Sequence, residues 1–342
     1  MQPRPNLCRT SLAFTACGLS VFAACERGGG VIRVGGSSTV FPISAAVAKE
    51  FQKTEHSKVN IEISGTSGGF RKFCTGELDI AEASRPIKAS EVEPCGKNGV
   101  EYIEVPVAYD GLAILVNPTN SWVERITVGE LKKMWEPEAQ GKVKTWSQIR
   151  AGWPDKELHL YGAGVDSGTY DYFTEAIVLR EHSSRGDFTS SEDDNVLVQD
   201  VARDELALGF FGYAYFLKNK GILKLVPVDD ENPGNGVGPI LPSQETVRNG
   251  TYQPLSRPLF LYIAKKSLNR PEVGEFVNFY LERGRRLVDQ VGYIPLPTHA
   301  YALGIERVSA RRVGTVFGGR GSQVGVSIEQ LLLKEALPEF AK

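Results

Sequence analysis

Three short stretches of this chain share one composition: GGSSTVFPI from Gly35, SGTSGGFRKF from Ser64 and DSGTYDYF from Asp166. Each sets Ser, Thr and Gly just ahead of a run with helical character. A hydroxyl in that place can cap backbone N–H groups, and glycine lets the main chain come close to a bound group. A helix N-terminus offers unpaired N–H donors and about half a positive charge, so several of them converging on one point make an anion site. One such run alone would be a cap; three of like chemistry point to a ligand. Other chemistries find less support. His56, His159, His182 and His299 lack the spacing of a metal motif such as H-E-x-x-H. The stretch VDSGT is not a G-x-S-x-G elbow, and no base can be placed beside Ser167. No metal or other cofactor is implied.

The runs need elements to aim them. Residues 31–34, 59–64, 78–84 and 111–117 read as strands from their β-branched, apolar character. Between the first two, Ile43, Val47 and Phe51 recur four apart, one face of a helix. Strand, helix, strand in repetition predicts an α/β fold with a parallel sheet, in which ligands settle beyond the carboxyl ends of the strands. The middle of the chain has its own strand and helix signals, with an exposed, turn-rich loop at DDENPGNGVGPILP. After SRPLFLYIAKK the helical patterns return to the first unit. Crossings near residues 116 and 260 would divide the chain into two lobes, 31–116 with 260–342 and 117–259, joined by a two-strand hinge.

Bulk properties agree with two lobes. A chain of 342 residues is long enough for two cores. A formal charge of −2 and no aromatic-studded basic stripe argue against a nucleic-acid partner. The amino terminus stands apart: Arg4 and Arg9 precede an uncharged stretch over residues 11–24, and CERGGG follows. That is the layout of a secretory signal over 1–24, and its apolar part is shorter than the roughly 20 residues of a membrane-spanning helix. Cys25, after Phe-Ala-Ala, resembles the lipid-modified cysteine of bacterial lipoproteins and would leave 25–30 as a lipid-attached linker, although Phe22 replaces the usual leucine. Cys17 is a weaker competitor for the same role. Losing Arg4 and Arg9 takes the formal charge from −2 to −4. With Cys8 and Cys17 removed and Cys25 acylated, Cys74 and Cys95 remain to form one disulfide in an oxidising compartment.

Taken together, GGSSTVFPI, SGTSGGFRKFCTGELDIAEASRPI, AYDGLAILVNP, DSGTYDYF and SRPLFLYI make the chain similar to the phosphate-binding proteins of bacterial phosphate ABC transporters, the PstS group and its SphX-like branch. The resemblance covers nearly all of residues 31–342. It implies a type II periplasmic binding protein fold, closing on one inorganic phosphate ion and delivering it to an inner-membrane ABC permease. It implies a monomer held at the membrane only through its lipid. It also implies phosphate contacts from Ser38, Thr39 and Val40, from Thr66 with Ser67 and Gly68 alongside, and from Ser167, Gly168 and Thr169.

Two departures leave charges to be assigned. Relatives place an aspartate where this chain has Ser84, and an arginine where it has Gly162 and Ala163. Arg85 is the candidate guanidinium, its planar fork suiting phosphate oxygens, or else a brace for the loop before Pro86. A carboxylate that accepts the proton of phosphate would exclude sulfate. Asp110 is the first choice, with Asp166 and Glu82 behind it, though Asp110 could instead pair with Arg85. Asp171 reads as stabilising the first turn of its own helix. Trp122, Trp135, Trp146 and Trp153 read as packing. The basic RVSARRVGTVFGGRGS reads as a solvated face or a docking segment. Three other functions stay open: a receptor for sulfate, arsenate, molybdate or tungstate; a secreted phosphoester hydrolase, which lacks a metal cluster or triad; and a phosphate sensor.

Overall fold

The computed structural model describes residues 30–318 apart from 56 and 235. The signal segment, Cys25, nearly all of the linker and the end of the basic C-terminal stretch lie outside the described residues. The first part of the chain runs β1 (Ile32–Gly36), α1 (Phe41–Thr54), β2 (Val59–Ile63), α2 (Thr66–Cys74), β3 (Ile80–Ala83), α3 (Ala89–Lys97) and β4 (Tyr102–Val116). Then follow β5 (Ile126–Thr127), α4 (Val128–Trp135), β6 (His159–Ala163), α5 (Gly168–Phe173), β7 (Thr189–Ser191), α6 (Asp194–Arg203) and β8 (Ala207–Gly212). The last part comprises α7 (Tyr213–Lys218), β9 (Lys224–Val226), β10 (Val228–Asp229), α8 (Gln244–Arg248), β11 (Ser256–Ala264), α9 (Pro271–Gln290) and α10 (Thr298–Ser309).

One nine-stranded sheet has the order β2-β1-β3-β11-β4-β8-β6-β7, with β9 also on β4. The pairs β1–β2, β1–β3, β6–β7 and β6–β8 are parallel, as strand–helix–strand units require. Strands β11 and β4 run antiparallel to each other through the middle. The strand expected at 111–117 is the end of a much longer β4. Glu104, Pro106 and Asp110 interrupt its apolar run in the sequence, yet all of 102–116 is buried or nearly so.

Strand β4 changes partners along its length. Residues up to Gly111 pair with β11, and Leu112–Val116 pair with β8. Burial follows the change. Ile103, Val105 and Leu259–Ile263 belong to one core, with Ile43, Val47 and Phe51 of α1 packed into it. Leu112, Ile114, Val116, Phe210 and Leu255 belong to a second, beside Trp135, Trp146 and Trp153. The chain thus passes between the cores at residues 110–112 and again near 255–259, in both cases earlier than the positions 116 and 260 read from the sequence. Trp135 meets Phe173 and Phe210 edge-on at 5.3 and 4.9 Å, which makes it a packing residue.

Cys74, at the end of α2, is bonded to Cys95 in α3. Closing a loop of this length stabilises the fold by about 3 kcal/mol in the chain-entropy picture. No helix among the described residues is long and apolar enough to cross a membrane.

Candidate functional site

The three runs lie at the carboxyl ends of β1, β2 and β6, and the fold brings them to one buried seam between the cores. Their helices start differently. Ser167 caps α5, its Oγ accepting from Thr169 N at 3.1 Å. Helices α1 and α2 begin without a side-chain cap. Gly65, before α2, has φ of 72°, and a Cβ there would lie 2.7 Å from Asp166 O, so the close approach of the second and third runs demands glycine. Ser67 N donates to that same Asp166 O at 2.9 Å.

At the centre stand four hydroxyls from both cores. Thr39 Oγ1 and Thr169 Oγ1 are 3.1 Å apart, as are Thr66 Oγ1 and Ser84 Oγ. Gly168 closes the ring. A Cβ on it would fall 2.7 Å from both Ser84 Oγ and Thr66 Oγ1. All five residues are buried.

The cation at this centre is Arg257, which the sequence reading passed over. It stands at the start of β11, opposite Asp110 of β4 in the strand register. Its Nη2 donates to Thr169 Oγ1 at 2.7 Å, to Thr39 Oγ1 at 3.3 Å and to Asp110 Oδ2 at 3.0 Å. Its Nη1 donates to Gly168 O at 3.1 Å, and its Nε to Asp110 Oδ2 at 3.3 Å. Burial pushes the Asp110 carboxyl up to about 6 against the pull of Arg257. A signal for the pair was present in the sequence: one arginine and one aspartate, each interrupting an apolar strand, in SRPLFLYI and AYDGLAILV.

Arg85 does something else. Nε donates to Asp171 Oδ2 at 2.7 Å, Nη1 to Pro86 O and Glu91 Oε2, and Nη2 to Ser67 Oγ and Glu91 Oε1. All five guanidinium protons therefore have protein acceptors. This is the bracing role, and the carboxylates paired with Arg85 are Asp171 and Glu91, not Asp110. Lys88 Nζ joins Asp171 at 2.8 Å, and His182 Nδ1 lies 3.0 Å from it. Burial pushes the Asp171 carboxyl up, but Arg85 and Lys88 outweigh it and hold the group below its ordinary value. Asp171 ties two cores together rather than serving its own helix alone.

The other residues singled out in the sequence are placed as follows. Ser38 is buried, its Oγ 3.4 Å from Asp194 Oδ1 and its carbonyl accepting from Tyr215 Oη at 2.8 Å. Val40 N closes a turn onto Ser37 O at 3.2 Å, so that amide is spent. Ser67 holds Arg85 rather than the hydroxyl ring. Asp166 is bound by both Arg71 terminal nitrogens, at 3.0 and 2.8 Å, on the exposed rim. Glu82 is fully buried on β3, where burial pushes its carboxyl to about 8 and neither oxygen has a hydrogen-bond partner among the described residues.

Comparison with known proteins gives the family. Residues 23–283 match the model of a PBP superfamily domain. Protein SphX of Synechococcus elongatus is 49% identical over 90% of this chain and 89% of its own length. The phosphate-binding protein PstS of Staphylococcus saprophyticus is 36% identical over 85% of this chain and 88% of its own. A possible phosphate binding protein from Planctomyces limnophilus, solved as a crystal structure, superposes with a TM-score of 0.60 at 45% identity, covering 83% of this chain and 99% of that one. By the family match over residues 23–283 and its identity to these relatives, the chain belongs to the PBP superfamily, among the phosphate-binding proteins of that family.

Proposed function

We propose that this protein captures one inorganic phosphate ion at the seam between its cores and hands it to an ABC permease. The lobes are taken as 30–111 with 256–318 and 112–255. The observation that carries the reading is the buried convergence of Thr39, Thr169 and Gly168 on Arg257, with the Thr66–Ser84 hydroxyl pair packed against Gly168, so that residues from both cores meet. Hydroxyls that pair with one another at 3.1 Å can each turn to donate to an oxyanion. Arg257 then supplies the opposite charge, and Asp110 fixes its fork.

Neutral donors can do most of this work. A micromolar Kd requires about 8 kcal/mol. Charge-assisted hydrogen bonds of about 1.5–3 kcal/mol each reach that sum after the cost of ordering. Lobe closure is the output, because ligand shifts an open–closed equilibrium only by its differential affinity for the two forms. Contacts such as Arg71–Asp166 and Arg85–Asp171 exist only when the lobes are together. Export by the segment 1–24 and a lipid on Cys25 would keep a monomeric receptor beside its permease, outside the cytoplasm. No turnover of phosphate esters is expected.

Titration calorimetry with phosphate, arsenate, sulfate and molybdate tests the reading. Tight phosphate binding with one ion per chain is expected, together with no hydrolysis of a chromogenic phosphomonoester. Tight sulfate binding with no phosphate response would sink it.

A further inference from the structure

The basic stretch that begins at Arg307 buries both that arginine and Phe317. Beyond α10 it runs beside β4 as a short strap, residues 314–317, with Gly314 bridged to Ile103. Gly314 N donates to Tyr102 O at 2.8 Å, and Arg307 Nη2 donates to Gly314 O at 2.7 Å.

One carboxylate holds the rest of the strap. Glu104 of β4 is buried, and it accepts from Thr315 Oγ1 at 2.6 Å and from Val316 N at 3.0 Å. It also accepts from Tyr262 Oη of β11, and that same phenol oxygen accepts from Ile87 N at 2.8 Å. Ile87 ends the loop that carries Ser84 of the hydroxyl ring and Arg85 of the seam. Glu104 therefore joins the strap to a loop of the site through a single side chain. Burial pushes the Glu104 carboxyl up, and its three donors together with Arg307 oppose that rise.

Phe317 completes the strap. Its ring meets Phe260 edge-on at 5.4 Å. It also lines one small void with Ser84, Arg85, Tyr172, Arg257 and Pro258, too narrow to take a water molecule. Arg257 is the cation of the ring, and Tyr172 comes from the second lobe, its hydroxyl donating to Pro254 O at 2.9 Å where the chain crosses between the cores.

We infer, resting on the phosphate reading above, that this strap is a working part of the site: Phe317 seals the rear of the site against water behind Arg257, and Glu104 is the positioning residue that ties the strap to the Ser84–Ile87 loop. Donors at a dry site hold an anion more strongly than donors that also face water. A leak at the rear therefore shows first as faster release of the ion.

Calorimetry and the release of labelled phosphate, both on the full chain, test this with Phe317→Ala set beside Phe276→Ala. Phe276 is also buried in the first core, on α9, where it packs against Phe51. Phe317→Ala is expected to lose about tenfold in phosphate affinity, mostly as faster release, while Phe276→Ala stays within about twofold at a comparable fall in melting temperature. Glu104→Gln puts an amide donor where the carboxylate accepts. In the phosphate-bound protein it is expected to speed hydrogen exchange at the Ile87 amide by about tenfold and to lose about threefold in affinity. Unchanged affinity and release in Phe317→Ala overturn the seal, as does an equal loss in Phe276→Ala, which would reduce Phe317 to packing. Unchanged exchange at Ile87 in Glu104→Gln overturns the tie. Should Phe317→Ala fail to fold, Phe317→Leu decides by the same two measurements, with a loss of about threefold expected. Wild type that binds no phosphate would defeat the underlying phosphate reading instead, a result seen before any variant is made.

Discussion

Arg85 and Arg257 are both buried at the seam between the cores, and each bonds an aspartate at 3.0 Å or less. Their surroundings are opposite in kind. Arg85 meets two carboxylates, Asp171 and Glu91, with a carbonyl and Ser67 taking what remains. Arg257 meets one carboxylate, one carbonyl and two threonine hydroxyls, which can rotate away. A guanidinium saturated by fixed anions is a rivet. One that faces movable hydroxyls keeps donors for an incoming anion. Net charge around each arginine, more than its burial, separates the two.

The largest effects should come from breaking this contrast directly. Arg257→Ala is expected to weaken phosphate binding by about 100-fold or more, since it removes the charge-assisted donors at the ring. Arg85→Ala should instead act on stability. It strands the Asp171 and Glu91 carboxylates, a change that costs about 3–5 kcal/mol when one partner of a buried pair is removed. Lys88 and His182 remain on Asp171 to soften the loss. Thermal melts and calorimetry on both variants decide. Equal losses of phosphate affinity at equal folded fraction would erase the distinction.

Gly168→Ala sharpens the comparison from the other side. The added methyl would meet Thr66 Oγ1 and Ser84 Oγ at 2.7 Å, and the Arg85 stem at 3.1 Å. Closure should be held open, with phosphate affinity down about tenfold and the melting temperature nearly unchanged, because the clash exists only between lobes. Scattering with and without phosphate would follow the closure itself. A variant that compacts on adding phosphate as wild type does would count against the proposed site.

Arg71→Ala should matter least. Its pair with Asp166 is bidentate but exposed, with side chains 65% and 40% accessible. Such rim pairs contribute little and are screened by salt, so affinity is expected to change within about threefold and only at low ionic strength. A tenfold loss that persists in high salt would promote this rim contact to a principal latch.

Much of the fold was legible in the sequence because it follows from local rules. β-Branched, apolar runs marked β1, β2 and β3, the four-residue recurrence marked α1, and the small polar runs marked the strand-to-helix junctions that meet at the seam. The Cys74–Cys95 bridge followed from the cysteines left over if 1–24 is a removed signal and Cys25 is acylated. The same rules misled at particular positions. Asp110 and Pro106 hid the length of β4, since burial of its whole run depends on both neighbouring strands. Val40 looked like a donor, yet its amide turns back to Ser37 O, a choice made by local turn geometry.

Sequence by itself determined where small polar residues stand at strand-to-helix junctions, for residue type and spacing fix where helices start and which glycines allow close approach. Tertiary structure alone decided which charges face that gathering. The register that sets Arg257 opposite Asp110, the contact of Arg85 with Asp171, and the meeting of Ser38 with Asp194 join residues 147, 86 and 156 positions apart. No periodicity reaches that far along a chain; long-range pairing is fixed only when strands and lobes pack.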